Sequence, residues 1–270
     1  MNLQIQGRRA LVTGASSGIG AGVARILAQE GVQLALVGRN PKNLCQVVSG
    51  INGAGCASAI ALMGDLAVTQ EVERLILEGR SALGHIDILV NCAGGSRPAA
   101  LGADEDYWTE AFALNFDAAR RLSQALIPDM KAQGWGRIIN ITGSMEPRSV
   151  NAANAAKAAL HVWAKGLSCD LAPDQITVNC IAPGRINSAQ IATRLHPTEE
   201  SRQSFIDRNI PAGFFGEPED VGGLVAFLSS PLAGYITGAV IPVDGGMHYF
   251  SHCPYEHAPP WNHESVGGTR

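Results

Sequence analysis

The chain has 270 residues, 46 % of them apolar and 16 % charged, with 31 glycines and a net charge of −4. That balance excludes a disordered chain, offers no basic surface to nucleic acid or an anionic membrane, and predicts one α/β domain with a large core. No apolar run reaches the 18 residues a membrane helix needs, and MNLQIQGRRALVTG at the start has no apolar signal region, so the predicted location is the cytoplasm.

Apolar runs and helical patterns then alternate along the chain. RALVT is the first predicted strand, and TGASSGIG, Thr13 to Gly20, leads from it into a helix over Ile19 to Glu30. QLALVG, a helix over Pro41 to Ile51, ASAIAL, a helix over Thr69 to Leu83, and DILVN follow. A long helix over Asp104 to Lys131, the strand RIINIT, a second long helix over Ala152 to Leu171, TVNCIA, a helix over Pro218 to Ser229, and VIPVDGG complete the series. Strands that are apolar along their whole length, separated by helices, predict a parallel sheet covered on both faces. The fold class is therefore α/β: a doubly wound Rossmann sheet of about seven strands in a single domain. The expected division is 1–247 for that domain and 248–270 for a C-terminal tail rich in Pro, His and aromatics.

The six cysteines form no CxxC pair, and Cys45, Cys56, Cys92, Cys169 and Cys180 lie in or beside apolar segments. They read as buried free thiols in a reducing compartment. The tail holds His248, His252, His257 and His263 with Cys253, Tyr249 and Tyr255, but HYFSHC lacks a zinc spacing, so no metal is predicted.

The glycine-rich turn directly follows the first strand and opens a helix, which suits a pyrophosphate at a helix N-terminus. With it come NCAG at Asn91 to Gly94, Asn115 in LNFDAARRL, Lys157 in its helix, APG at Ala182 to Gly184, and YITGAVIPVDGG. This ordered set resembles the short-chain dehydrogenase/reductase superfamily, in particular its ketoacyl-carrier-protein-reductase-like branch, over about residues 5 to 247. The resemblance implies a nicotinamide dinucleotide held by Gly14, Ser16, Ser17, Gly18, Ile19 and Gly20. It implies that Asp65 and Leu66 flank the adenine, that Asn91, Ala93 and Gly94 line the adenosine ribose side, that Lys157 binds the other ribose, and that Pro183, Gly184 and Ile186 meet the nicotinamide. At the end of the second strand, where a free ribose hydroxyl asks for a carboxylate, stand Gly38, Arg39 and Asn40. Arg39 can clasp a 2′-phosphate, so NADP(H) is favoured over NAD(H), although Ser17 occupies a turn position where NADP users often carry a second basic residue.

The resemblance further implies a catalytic set of Asn, Ser, Tyr and Lys. Asn115 and Lys157 match. The tyrosine position, four residues before Lys157, is Ala153. The serine position falls on Gly143, with Thr142 one residue early and Ser144 one residue late, and the loop to Lys157 is about three residues short of the family length. Ser144 and Asn154 join Asn115 and Lys157 as the candidate catalytic residues. An amide polarises a carbonyl but gives up no proton. Glu146, His161 and the tail are alternative sources, against plainer roles for each as a solvated carboxylate, a packed histidine and a surface segment.

The segment RINSAQIATRLHPTEESRQSFIDRNIPAGFFG takes the place of the family's substrate lid. Arg185, Arg194, His196, Arg202 and Arg208 fit either a carboxylate-bearing substrate or ordinary helix-surface charge. Phe214 and Phe215 fit either a pocket wall or core packing. The function expected is an NADP(H)-dependent oxidoreductase of a carbonyl, alcohol or imine small molecule with an atypical proton donor. The alternative is a catalytically lapsed dinucleotide binder with a structural or sensing role. The resemblance also implies a homo-oligomer, a tetramer or dimer joined through the two long helices.

Overall fold

The computed structural model describes residues 1–96, 102–144, 147, 149–188 and 191–250, with the backbone alone at 192, 194, 249 and 250. Seven strands form one parallel sheet: β1 Arg9–Thr13, β2 Gln33–Gly38, β3 Ala59–Met63, β4 Ile88–Asn91, β5 Gly136–Ile141, β6 Ile176–Pro183 and β7 Val240–Val243. Their order is β3-β2-β1-β4-β5-β6-β7. The chain reverses direction across the sheet between β1 and β4. A crevice opens there beyond the carboxyl ends of the strands.

Each strand feeds both faces. Ala10 and Val12 pack with Val23, Leu27 and Val225 on one side, whereas Leu11 packs with Leu75, Leu122 and Ala164 on the other. The first layer holds α1 Gly18–Gln29, α2 Pro41–Ala54 and α8 Pro218–Leu228. The second holds α3 Thr69–Leu83, α5 Ala118–Gln133 and α6 Ala152–Leu171. Burial on both faces explains why the strands carry no polar alternation.

Helix ends follow local chemistry. Asn40 caps α2 by accepting the N–H of Asn43, Pro41 occupies the first turn, and Gly55 closes the helix at φ 71°. Glu217 and Asp220 form a reciprocal capping box at the start of α8. Asn151 caps α6 through the N–H of Ala153.

Three expectations need correction. The long helix predicted over Asp104 to Lys131 is α4 Glu105–Phe112, a widened π turn at Ala113–Asp117, and α5. The lid segment contains a helix, α7 Glu199–Asn209, capped by Thr198; its surface-like polarity hides it from a periodicity argument. Cys45, Cys56 and Cys169 are exposed, Cys92 is half-buried, and Cys180 alone of the five is buried, because the first three fall on outward helix faces or a turn. A short helix, α9 Met247–Phe250, stands at the start of the expected tail, and His248 bonds Asp244 at 2.7 Å. Tail residues 251–270, with His252, Cys253, Tyr255, His257 and His263, lie outside the described residues.

Candidate active site

Thr13, the last residue of β1, fixes the crevice. Its Oγ1 accepts the N–H groups of Cys92 and Ala93, both at 2.9 Å, and donates to the Val90 carbonyl at 3.3 Å. The ends of β1 and β4 are thereby tied together where the order reverses. The chain then turns at Gly14, φ 66°, so tightly that a Cβ on Gly20 would sit 2.3 Å from the Gly14 carbonyl oxygen. No side chain fits there, and the closeness leaves the start of α1 open to a ligand. That helix end has no side-chain cap bond at Ser17 and no acidic residue in its first turn, so its N–H groups favour an anion.

One cavity of about 1290 Å³ runs from this turn across the strand ends. Gly14, Ser16, Ser17, Gly18, Ile19 and Gly20 line its first end. Arg39, Asn40, Asp65 and Leu66 follow at the ends of β2 and β3, and Ala93, Gly94 and Lys157 line the middle. Pro183, Gly184 and Ile186 close the far end. Arg39 faces Asp65 at 3.7 Å, an exposed ion pair that contributes little stability and leaves the guanidinium available.

Asn91 does not line the cavity. It is buried under the strand ends, donating to Asn140 Oδ1 at 2.9 Å and to Ser123 Oγ at 3.4 Å. It braces β4 against β5 and α5 rather than facing a ligand through its side chain.

The four candidate catalytic residues, Asn115, Ser144, Asn154 and Lys157, all line the same cavity, as do Thr142, Gly143 and Ala153. Asn115 sits in the π turn between α4 and α5. Its amide donates to the carbonyls of Ala111 at 2.9 Å and Gly95 at 3.0 Å, and its Oδ1 accepts the Gly95 N–H at 3.1 Å. The widened turn relaxes the helical ladder, and the side chain takes up the Ala111 carbonyl while clamping the loop after β4. Lys157 donates to the Ile141 carbonyl at 2.8 Å. Burial pushes its ammonium down to about 8, against smaller opposing effects of the Cys92 and Cys180 thiols.

His161 lies one turn beyond Lys157 but is not a cavity wall. Its Nε2 is 2.7 Å from Thr142 Oγ1, which gives its only proton to the Ile181 carbonyl at 3.0 Å. Nε2 must then be the donor, so the ring braces β5 through Thr142. Burial, with the Lys157 charge, holds it below the usual histidine range. Glu146 lies outside the described residues. Asn154 lines the cavity, and its amide makes no hydrogen bond to the described residues.

Two residues near the site carried no sequence signal. Asn151 donates to Ser96 Oγ at 2.8 Å, closing the rim between the loop after β4 and α6. Tyr107, buried in α4, accepts the N–H of Ala152 at 3.3 Å and so supports the first turn of α6 from behind. Both interactions join segments distant in sequence, and nothing local announces them.

The family model described as Enoyl-(Acyl carrier protein) reductase matches residues 14–248. The chain is 35 % identical over 243 residues to the short-chain reductase protein NovJ of Streptomyces niveus, covering 88 % of this chain and 92 % of that protein. The crystal structure of L-sorbose reductase from Gluconobacter frateurii, complexed with NADPH and L-sorbose, superposes with a TM-score of 0.87 at 32 % identity, covering 92 % of this chain and 98 % of that one. A 7α-hydroxysteroid dehydrogenase complexed with NADH and 7-oxo glycochenodeoxycholic acid superposes with a TM-score of 0.85 at 32 % identity, covering 91 % of this chain and 96 % of that one. On this combination of matched length, identity and shared architecture, the chain belongs to the short-chain dehydrogenase/reductase family.

Proposed function

We propose that the protein is an NADP(H)-dependent oxidoreductase that acts on a carbonyl, alcohol or imine small molecule without a tyrosine proton donor. One observation carries this reading: a single cavity joins the glycine-rich turn and Arg39 to Lys157, Asn115, Ser144 and Asn154. The open start of α1 suits the pyrophosphate, and Arg39 suits a 2′-phosphate in exchange for its weak pairing with Asp65. Lys157 is placed to hold the ribose next to the nicotinamide, with Pro183, Gly184 and Ile186 behind the ring. When bound, the dinucleotide supplies the hydride.

The protein's own groups account for the rest. Asn154 and Ser144 donate hydrogen bonds to the substrate oxygen or nitrogen and fix its orientation. Neither releases a proton near neutrality. Lys157 does, because burial brings its ammonium to about 8, close to a working pH. Ala153, one turn before Lys157, leaves space where the family's phenol would stand, so a proton passes from Nζ to the substrate through water in that space. The catalytic body is residues 1–247, the remainder is a tail, and subunits associate through the faces of α4, α5 and α6, where Val162 is 77 % exposed in the single chain.

Fluorescence titration with NADPH and NADH, followed by NADPH consumption over a panel of ketones, aldehydes and imines, tests the reading. NADPH should bind at least about tenfold tighter than NADH, and Arg39→Glu should reverse the order. Tight NADPH binding with no consumption across the panel would instead identify a lapsed binder.

A further inference from the structure

The substrate end of the cavity holds a cation that no described residue neutralises. Arg185 follows Pro183 and Gly184 and lines the cavity together with Ile191, Leu195, Phe205 and Asn209. Its backbone is fixed by the bridge between Ile186 and Gly216, with the Gly216 N–H donating to the Arg185 carbonyl at 3.0 Å. Its guanidinium lies over the Phe205 ring, 4.9 Å from the centroid, and its buried Nε has no hydrogen-bond partner. No described residue forms an ion pair or hydrogen bond with this side chain. Burial holds it below the usual arginine range.

The other basic lid residues whose side chains are described each have contacts of their own, although Arg202 Nε and His196 Nε2 also lack hydrogen-bond partners. Arg202 stacks on Phe215 with its centre 5.0 Å from the ring, donates to Asn187 Oδ1 at 2.9 Å, and faces Glu199 at 3.7 Å. Arg208 is exposed and bonds Ser204. His196 is buried between Phe205 and Phe215 and held below the usual histidine range by burial, then by Arg185 and Arg202; a neutral or cationic ring in any case supplies no negative charge to Arg185. Asp244, behind Gly184, has its carboxylate taken by His248 and the N–H of Gly246. Among the described lining residues the one carboxylate is Asp65, at the opposite end and already facing Arg39. A half-buried guanidinium with five donors and no acceptor is costly unless a ligand completes it.

We infer that Arg185 receives a carboxylate carried by the substrate, so that the enzyme selects a carbonyl or imine acid over its neutral counterparts. This rests on the reading of the cavity as a dinucleotide-dependent reductase site. The planar fork would take the two oxygens side by side, with Phe205 and Leu195 enclosing the adjoining carbon skeleton. Lys157 reinforces the preference as a further cation lining the same cavity, nearer the substrate end than Arg39.

The experiment loads the protein with NADPH and titrates benzoate against its neutral isostere benzamide, reading the fluorescence of the bound NADPH. Benzoate should bind about tenfold to a hundredfold tighter, the range expected for hydrogen bonds to a charged group. Arg185→Met should bring the two to equality while leaving NADPH affinity within about twofold, and Arg185→Lys should keep part of the preference. Melting curves confirm that both variants fold. Equal binding of benzoate and benzamide by the NADPH-loaded wild type overturns the inference alone. A fall in NADPH affinity that matches the loss of benzoate in Arg185→Met also overturns it, because the anion is then a cofactor phosphate. Failure of NADPH to bind the wild type overturns the cofactor reading and this inference with it.

Discussion

The ammonium of Lys157 donates a 2.8 Å hydrogen bond to the carbonyl of Ile141, the last residue of β5. That bond holds a half-buried cation within electrostatic reach of two thiols, Cys92 and Cys180. Burial pushes the Lys157 ammonium down to about 8 from its ordinary 10.5, and pushes the thiols up to about 12 and about 11. Between about pH 8 and 10.5 the unfolded chain holds a proton on this lysine that the folded chain has released, so the lysine's contribution to stability rises with pH across that window. The thiols act in the opposite sense above about pH 9, because they stay protonated only in the folded state. Comparing wild type with Lys157→Met removes most of the thiol effect. The stability of the wild type relative to that variant should climb from pH 8 to pH 10 in urea denaturation, and a flat difference would show that the ammonium is not buried as described.

Gly94 is the residue that lets Asn115 and Lys157 share the middle of the cavity. A Cβ there would lie 2.9 Å from Asn115 Oδ1 and 3.2 Å from Lys157 Nζ. Neither group can retreat freely, since Asn115 is bonded to Gly95 and Ala111 and Lys157 to Ile141. Gly94→Ala should therefore cost about 1–3 kcal/mol of stability and lower NADPH affinity at least about tenfold. Gly53→Ala provides the contrast: it lies inside α2 with open space around the added methyl, so it should be neutral or stabilising by about 0.5–1 kcal/mol and leave NADPH binding unchanged. Equal effects of the two substitutions would remove the argument for close packing at Gly94.

What the sequence revealed divides along physical lines. RALVT, QLALVG and the helices Thr69–Leu83 and Ala152–Leu171 were legible because apolar runs, periodicity and capping residues are local signals, and the structure places them at those positions. The glycine-rich turn was legible because only glycine tolerates the approach of Gly20 to Gly14. The π turn at Asn115 was not, since a widened turn leaves the helical period of its neighbours almost intact. Helix α7 was hidden by a polar sequence with one fully buried residue, Ile206. The displacement of Asn91 from the cavity wall depends on Asn140 and Ser123, partners 49 and 32 residues away. Likewise, Arg185 could not be told from Arg202 or Arg208 until the acceptors of each were known.

Residues 143 and 153 offer the most direct probe of the proposed catalytic end. An added Cβ at Gly143 meets no heavy atom within 4 Å, and its φ is not positive, so Gly143→Ser fits without strain. Ala153 is buried yet lines the cavity, and it lies four residues before Lys157, which puts a side chain there one turn above the ammonium on the same helix face. A phenol in that position would be lowered by the neighbouring cation and would act as a general acid, a contribution of about 10²–10⁴-fold. Ala153→Tyr should raise kcat/KM for a simple ketone such as cyclohexanone by about 10²-fold, and adding Gly143→Ser should raise it further, with NADPH affinity unchanged. The pH profile supplies the second readout. If Lys157 donates the proton in the native protein, reduction should fall above about pH 8, and Ala153→Tyr should move that limb because a different group then releases the proton. A double variant that binds NADPH as tightly as wild type but gains no ketone reduction would overturn the idea that residues 143 and 153 set the proton donor.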